Sequence, residues 1–269
     1  MTGHDLAPSP AQIQSFITDG FVRIDDAFPR ALADAGRAIL WAETGCDRHN
    51  RDTWTRPVIR LGGYSDAPFR EASNTARLHA AYDGLVGPGR WVPPQGLGTF
   101  PVRFPSDEPP GDDGWHIDVS FALERDDPAD FLSYRANLVS RGRALLMLFL
   151  FSDVGEADAP TRIRKGSHRD IARRLAGAGA DGMTLGELAA NGFAESARRD
   201  EVLATGPAGT VYLCHPFLVH AAQPHRGTEP RFMAQPPLYP RGAFSLEGAR
   251  EGLAPVERAI VEALDADRA

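Results

Sequence analysis

The 269-residue sequence is poor in cysteine and has no long hydrophobic run. Its two cysteines, Cys46 and Cys214, do not make the disulfide framework of a small secreted protein, so a reducing compartment is favoured. The longest apolar run, at residues 144–151, has the length of a strand and is too short to span a membrane. The N-terminal residues also lack the basic region and apolar core of a secretory signal. We therefore expect a cytoplasmic protein without a membrane partner.

An excess of positive charge is missing as well. The chain has 29 Lys and Arg against 36 Asp and Glu, which gives a net charge of −7, and its basic residues are scattered along the sequence. Both features argue against a nucleic-acid partner, and neither common type of glycine-rich phosphate loop is present. A hydrophobic content of 42% with 24% charged residues is ordinary for a globular protein. We expect one domain over residues 1–269 that acts on a small-molecule substrate.

The N-terminal part of the sequence has helical patterns. Ser9 and Pro10 suit the N-cap and first turn of a helix, and Gly20 suits its end. Apolar residues also recur at helical spacing over 29–44 and 75–86. Further helices are predicted at 169–178 and 184–199, as an insertion rich in Ala, Arg and Glu, and at the C-terminus around Val256, Ile260 and Leu264.

From residue 98 onward the period of the pattern changes to two, which is typical of β-strands. In residues 99–104, Val102 shares one face with the two phenylalanines, and Arg103 lies on the other face. Helices followed by many short strands predict a mainly β fold, a barrel or sandwich with helices packed on one side. Strands are predicted at 21–24, 99–104, 135–139, 145–152, 161–164, 210–214, 217–221 and 231–238.

The most informative pair of residues is His116 and Asp118, within GWHIDVSFA at 114–122. Side chains alternate along a strand, so these two project from one face while Trp115 and Ile117 project from the other. An imidazole and a carboxylate on one face are two of the three ligands of a 2-His-1-carboxylate metal site. The alternative interpretation is a surface strand whose two polar residues face water.

The third ligand has three candidates, because His215, His220 and His225 all lie in residues 209–238. A proline follows His215, which suits a strand edge or corner, and His225 lies in the turn-like stretch PHRGTEP. His220 lies on an extended apolar stretch at 217–221. We predict that His220 is the ligand and that the other two are supporting or surface groups.

The ordered set of His-x-Asp, a long gap, His220 and then Arg231 resembles the phytanoyl-CoA dioxygenase family of iron- and 2-oxoglutarate-dependent oxygenases. The resemblance includes RALLMLFLFSD at 143–153 and APTRIRKGSH at 159–168, which are similar to the central strands of that family and their Gly-Ser-His turn. GTVYLCHPFLVH, ending at His220, is similar to the strand of its distal ligand. The resemblance covers approximately residues 99–238.

The resemblance implies a specific fold and activity. The fold would be a double-stranded β-helix, or jelly roll, with the N-terminal helices packed on one sheet. The protein would use Fe(II), 2-oxoglutarate and dioxygen to hydroxylate an unactivated C–H bond of a small molecule. His116, Asp118 and His220 would hold the metal and would be the catalytic residues.

The co-substrate contacts also follow from the resemblance. In the family, the arginine at the position of Arg231 binds the distal carboxylate of 2-oxoglutarate, and a structural salt bridge is the alternative for this residue. Arg103 is a candidate for contact with 2-oxoglutarate or an acidic substrate, with a structural ion pair as its alternative. Gln235 and Thr210 are candidates for supporting contacts. Ala222 departs from several relatives that have a hydroxyl at this position, so the full set of contacts stays open.

A function of a different class is the alternative to an oxygenase. A jelly-roll protein that resembles a cupin would bind a metal or small molecule without oxygenase activity, although cupins usually carry His-x-His rather than His-x-Asp. Halogenation is disfavoured, because related halogenases replace the carboxylate ligand with a small residue and Asp118 is present.

Two further features flank this candidate site. Loops rich in Pro, Gly and Asp at 106–113 and 124–130 bracket the His-x-Asp segment, and we expect them to form a mobile rim. Arg162, Arg164 and Lys165 form a basic cluster. A solvated surface is the usual meaning of such a cluster, and reception of an acidic substrate is the alternative.

Overall fold

The computed structural model describes residues 6–266, so the first five residues, which are part of the segment examined for a secretory signal, lie outside the described range. Within it, antiparallel strands form several sheets and helices lie before, between and after them. None of the helices in this range is long and apolar enough to cross a bilayer. The helices are α1 (Pro10–Asp19), α2 (Arg30–Thr44), α3 (Ala67–Ser73), α4 (Ala76–Val86), α5 (Ser167–Leu175), α6 (Leu185–Ala189) and α7 (Pro255–Asp265). The strands are β1 (Phe21–Ile24), β2 (Val58–Leu61), β3 (Phe100–Arg103), β4 (Arg135–Ala136), β5 (Leu145–Leu150), β6 (Arg162–Arg164), β7 (Met183–Thr184), β8 (Glu201–Leu203), β9 (Val211–Cys214), β10 (His220–Ala221), β11 (Met233–Ala234) and β12 (Pro237–Leu238).

The ends of the N-terminal helices follow from local chemistry. The Ser9 side chain accepts the backbone N–H of Gln12, and the Gln12 side chain accepts the N–H of Ser9 in return, which forms a capping box. Gly20 ends α1 at a φ of 87°, in the left-handed region that glycine adopts without steric cost. Thr75 caps α4 by accepting the N–H of Leu78. The helices expected from sequence at both ends of the chain are confirmed.

The central sheet has β5 in its interior. β5 pairs antiparallel with β9 on one side and with β11 and β12 on the other, and β1 extends the sheet beyond β9. All six residues of β5 are buried, because both faces of the sheet are covered. Leu145, Met147 and Phe149 pack in the cluster that includes the helices. Leu146, Leu148 and Leu150 pack on the opposite face with Ile163 of β6.

A second, smaller sheet lies on that opposite face. It has the order β10–β6–β8, with all pairs antiparallel. Two isolated bridges connect other segments to the two sheets. Arg103 at the end of β3 pairs with Arg231, and His116 pairs with His220 at the start of β10. These two bridges place His116 next to His220 and Arg103 next to Arg231.

Several elements are shorter than the sequence pattern predicted. The strand expected at 217–221 is reduced to His220–Ala221, because a turn precedes it in which the Leu218 N–H donates to His215 O, across Pro216. The helix expected at 184–199 ends after Ala189, because Gly192 and Phe193 adopt left-handed φ values of 64° and 56°.

Other strand predictions need the same correction. The stretch 231–238 contains two separate two-residue strands, and 135–139 contains only Arg135–Ala136. The His-x-Asp segment itself is extended but forms only the single bridge of His116. The alternation expected there is present, since Ile117 and Val119 are buried while His116 and Asp118 are half-buried. Four of the labelled elements, α3, β2, β7 and β8, were not predicted.

Candidate metal centre

The two histidines of the candidate site are neighbours across a backbone bridge. The N–H of His116 donates to the carbonyl of His220 at 3.0 Å, and the N–H of His220 donates to the carbonyl of His116 at 2.9 Å. Residues paired in this way carry their side chains on the same face. The ring centroids lie 4.3 Å apart. Residues more than 100 positions apart in sequence thus meet through two short hydrogen bonds.

Both imidazoles have one nitrogen occupied and one free for a ligand. His116 Nδ1 lies 2.9 Å from the carbonyl oxygen of Gly114, and His220 Nδ1 lies 3.0 Å from that of Leu218. Only a protonated Nδ1 donates to a carbonyl, so each ring presents the lone pair of Nε2 on its other side. Fixing the tautomer by a backbone carbonyl in this way is typical of metal-binding histidines.

Asp118 completes the group. The candidate ligand atoms of His116, Asp118 and His220 all lie within 4.8 Å of one another, close enough to share one metal ion. Burial raises the pKa of the Asp118 carboxyl, but the charge of Arg143 and the electrostatic interactions with His220 and His116 lower it by more, so the net pKa lies below the ordinary value. The carboxylate is therefore the stable form in which Asp118 faces the histidines.

The same three residues line a cavity of about 430 Å³. Gln235 and Ala222 also line it, so the departure from the family at Ala222 falls inside this cavity. The remaining lining residues are Arg60, Arg103, Asp112 and Phe131. Phe131 is 59% exposed, so its ring lies at the mouth of the cavity.

Two arginines meet beside this cavity. Arg103 and Arg231 exchange backbone hydrogen bonds of 3.1 and 2.8 Å, and both residues are almost fully buried. The Arg103 Nη2 donates to Asp112 Oδ2 at 2.8 Å, and Arg60 pairs with the same carboxylate oxygen. The Nε and Nη1 of Arg103 have no hydrogen-bond partner among the described residues.

Arg231 is the less neutralised of the pair. Its guanidinium donates to the backbone carbonyls of Ala159 and Pro101, and its buried Nε has no partner among the described residues. Burial lowers the pKa of Arg231 well below its ordinary value, the charge of Arg103 lowers it further, and Asp112 opposes the shift. A carboxylate bound here would find donor atoms and positive charge already in place.

Three sequence candidates lie elsewhere. Thr210 is buried at the start of β9, where its hydroxyl donates to Asp25 at 3.4 Å, and it is not among the residues that line the cavity. His215 is buried against α7, with Nε2 donating to Val256 O at 3.0 Å. His225 is buried in a loop, where Nδ1 accepts the N–H of Gly227 at 3.1 Å. None of the three is in the cluster of potential metal ligands.

The basic cluster at 162–165 is largely structural. Arg164 is buried, lies 4.0 Å from the centroid of the Trp115 ring and donates to Phe193 O and Ser196 Oγ. Arg162 lies over the same ring at 4.7 Å. These contacts hold the Trp115 ring against two arginines of β6, so Trp115 acts as a packing residue.

Sequence reasoning missed some residues around the site. Arg60, Arg143 and Phe131 were given no role, and Asp112 was grouped with the acidic loop without a partner. No local pattern marks them, because each reaches the site from a different part of the chain. The position of Arg143 next to the buried strand β5 was the nearest available signal.

The chain is similar to known proteins in both sequence and structure. The phytanoyl-CoA dioxygenase family model matches residues 16–233. No match was found among curated proteins. Among solved structures, the chain is similar to HygX from Streptomyces hygroscopicus with nickel and 2-oxoglutarate bound, with 19% identity, 89% coverage of each chain and a TM-score of 0.57.

Two further structures show the same likeness. SnoK, a non-heme alpha-ketoglutarate-dependent carbocyclase from nogalamycin biosynthesis, has 17% identity and a TM-score of 0.57 over 94% of this chain and 91% of its own. EctD from S. alaskensis has 19% identity and a TM-score of 0.54 over 87% of this chain and 77% of its own. These likenesses confirm the expected jelly-roll fold with flanking helices. Since the family model matches most of its length, the chain belongs to the phytanoyl-CoA dioxygenase family.

Proposed function

We propose that this protein is an Fe(II)- and 2-oxoglutarate-dependent oxygenase that hydroxylates an unactivated C–H bond of a small-molecule substrate. The chain acts as a single domain over residues 1–269, in which α7 packs on α1, α4 and α5. His116, Asp118 and His220 hold the metal and are the catalytic residues. Arg231 anchors the co-substrate, with Arg103 and Gln235 beside it.

The observation that carries this proposal is the composition of one cavity. The three potential metal ligands line it together with Arg103, which is bridged to Arg231. Near that bridge, Arg60 and Arg103 pair with the single carboxylate of Asp112, and Arg231 adds a third guanidinium that has no carboxylate of its own among the described residues. A dicarboxylate that binds the metal at one end suits the unbalanced positive charge at the other end.

The donor set fits ferrous iron. Two neutral imidazoles and one carboxylate are the ligands of the 2-His-1-carboxylate site in non-haem iron oxygenases. The carbonyls of Gly114 and Leu218 keep both imidazoles in the tautomer that presents Nε2. When bound, iron would activate dioxygen as the oxidant for C–H hydroxylation, with two electrons supplied by the decarboxylation of 2-oxoglutarate to succinate.

The chain's own residues position the reactants. Arg231 and Arg103 fix the orientation of the co-substrate by charge-assisted hydrogen bonds from a buried position, where competition from water is weak. The ring of Phe131 lies at the mouth of the cavity, where it would contact the apolar part of a substrate. Asp112 closes the wall between Arg60 and Arg103 and limits access of water.

The similar structures support the class of cofactor and of substrate. HygX binds nickel, 2-oxoglutarate and hygromycin B in one crystal structure and iron in another. SnoK is a carbocyclase, so a similar fold serves a reaction other than hydroxylation. The presence of Asp118 disfavours halogenation, because it keeps the three-ligand set complete, and the product of the reaction distinguishes hydroxylation from cyclisation.

Succinate formation tests the proposal. The purified chain is incubated with Fe(II), ascorbate and 2-oxoglutarate in air, and succinate is quantified with and without a panel of small molecules. We expect succinate above the no-enzyme rate, stimulated by a substrate whose product gains one oxygen atom. Absence of succinate under every condition would leave the chain as a binding protein, and loss of two hydrogens from the substrate would assign cyclisation or desaturation.

A further inference from the structure

The two carboxylate oxygens of Asp118 face different neighbours. Its Oδ1 lies 3.9 Å from Nε2 of His220, on the side of the other candidate metal ligands. Its Oδ2 lies 3.1 Å from Nη1 of Arg143, on the other side. The side chains of Asp118 and Arg143 are 20% and 12% exposed, so water weakens their attraction only in part. One oxygen is thus directed to the histidines while the other is paired with a cation.

Arg143 has no other carboxylate partner among the described residues. Its Nε and Nη1 are buried, and neither forms a hydrogen bond of good geometry within this range. Arg135 differs, since it binds Asp126 through two hydrogen bonds of 2.6 and 2.9 Å. A buried guanidinium with so few hydrogen bonds is costly, so a purely packing role does not account for Arg143.

The turn that carries Arg143 is hydrogen-bonded to the segment that carries His116 and Asp118. The Asn137 side chain accepts the N–H of Arg141 at 3.0 Å, and the hydroxyl of Ser140 donates to Arg143 O at 2.6 Å. Ser120, two residues beyond Asp118, donates its hydroxyl to Arg141 O. The guanidinium therefore approaches Asp118 from a backbone that is hydrogen-bonded to the same segment, which restrains their separation.

We propose that Arg143 is a positioning residue that holds Oδ2 of Asp118 away from the metal, so that the carboxylate offers only Oδ1. This inference rests on the proposed function. A three-ligand site must leave positions free for 2-oxoglutarate and dioxygen, and a carboxylate that used both oxygens would take one of them. A cation so close to the ligands opposes metal binding, so its benefit lies in the binding mode of Asp118 and not in metal affinity.

The test compares Arg143→Met with the native protein after loading with Co(II), whose visible spectrum reports the number and arrangement of ligands. Arg143→Gln gives the same comparison if the methionine variant is unstable, and Arg143→Lys keeps the charge. Arg141→Met is the matched control, because Arg141 is exposed and its guanidinium stacks 5.0 Å from the Phe121 ring centroid. Mn(II) affinity is measured on each variant by electron paramagnetic resonance.

We expect Arg143→Met to change the Co(II) spectrum while Mn(II) affinity stays within about threefold of native or increases, because a repulsive charge has been removed. The affinity of the Fe(II)-loaded variant for 2-oxoglutarate should fall by about tenfold or more, since one position is taken by Asp118. Arg143→Lys should recover most of both signals, and Arg141→Met should match the native protein.

An unchanged Co(II) spectrum in a folded Arg143→Met variant would overturn the inference. So would loss of Mn(II) binding, because Arg143 would then order the ligand segment as a whole. The proposed function is judged separately, by whether the native Fe(II)-loaded protein develops a charge-transfer band on addition of 2-oxoglutarate. A native protein without that band would refute the proposed function, whereas the Co(II) comparison would still decide the role of Arg143.

Discussion

The arginines at the site differ mainly in which group neutralises their positive charge. Arg103 has the carboxylate of Asp112 within hydrogen-bond distance, and Arg143 has that of Asp118. Arg231 is as deeply buried as Arg103, but its guanidinium reaches only backbone carbonyls among the described residues. A buried cation without a carboxylate is unfavourable by itself. Arg231 is therefore the residue whose role depends most on a bound anion.

Replacing Arg231 tests that role. Arg231→Leu removes the charge-assisted anchor and should weaken 2-oxoglutarate binding by about 2–4 kcal/mol, or about 30- to 1,000-fold, while Fe(II) affinity changes little. Fe(II) binding is measured first, and 2-oxoglutarate binding to the metal-loaded protein is then followed by its charge-transfer absorbance. The exposed Arg51, changed to Leu, is the control. Unchanged 2-oxoglutarate affinity would transfer the role to Arg103.

The histidines make a second prediction at this scale. His116→Ala removes one of three ligands and should weaken Mn(II) binding by more than about 100-fold, since changes behind the ligands alone cost 10- to 100-fold. His225→Ala is the control, because His225 is a buried histidine that lies outside the cluster of potential ligands. Titration calorimetry compares both variants with the native protein. Equal affinity in the native protein and His116→Ala would refute the ligand assignment.

Among the elements, the two acidic loops have different anchors. The loop at 124–130 is held by Asp126, whose carboxylate binds Arg135. The hydrogen bonds from Arg135 and from the backbone N–H of Leu123 lower the pKa of Asp126 to about 2. The loop at 106–113 is held by Asp112, which binds Arg60 and Arg103 at the cavity wall. Only the second anchor uses residues of the proposed co-substrate site.

Asp112 therefore attaches the loop at 106–113 to the cavity wall, and its ion pairs should limit the motion of that loop. Asp112→Asn weakens both ion pairs and should increase hydrogen exchange across residues 106–113, because the loop loses its charged anchor. Asp107→Asn, on the same loop but fully exposed, is the control and should leave exchange unchanged. Exchange measured by mass spectrometry on both variants decides the point. Equal protection of the loop in the native protein and Asp112→Asn would show that other contacts hold it.

Across the whole molecule, a buried histidine pair joins the helices to the central sheet. The rings of His168 on α5 and His215 after β9 lie 4.9 Å apart. His168 donates to Ile17 O on α1, and His215 donates to Val256 O on α7 while its Nδ1 accepts the N–H of Phe217. Burial is the main cause that lowers the pKa of His168 to about 3; the charges of Arg169 and Arg199 act in the same direction, and the hydrogen bond to Ile17 O opposes them. Burial and the charge of His168 also lower the pKa of His215.

The pair makes stability depend on pH. A histidine whose folded pKa lies below its unfolded value contributes full stability above about pH 6.5 and loses it as the pH falls below that value. Between pH 7 and 5 we expect each of the two to cost about 2 kcal/mol of unfolding free energy. His168→Gln should reduce this loss by about 2 kcal/mol, as measured by urea unfolding at both pH values.

The exposed His49, changed to Gln, is the control for this measurement. It should lose as much unfolding free energy between pH 7 and 5 as the native protein does. If His168→Gln loses stability as steeply as the native protein, the acid sensitivity originates elsewhere in the chain.

Much of the local structure was determined by the sequence itself. The Ser9 cap and the Gly20 stop set the limits of α1, and the apolar run at 144–151 produced a strand buried on both faces. The His-x-Asp spacing was sufficient to put His116 and Asp118 on one face. These features depend on neighbours a few residues away, within the range of capping hydrogen bonds and side-chain periodicity.

Only the tertiary structure decided which distant residues became partners. The lengths of the strands around His220 and Arg231 depended on which segments paired across the sheets, and not on their propensity. In the same way, the sequence does not specify which cations pair with Asp112, and the fold places Arg60 and Arg103 next to it. Charge pairing acts through space at a few ångströms, and the sequence does not state which loops come that close.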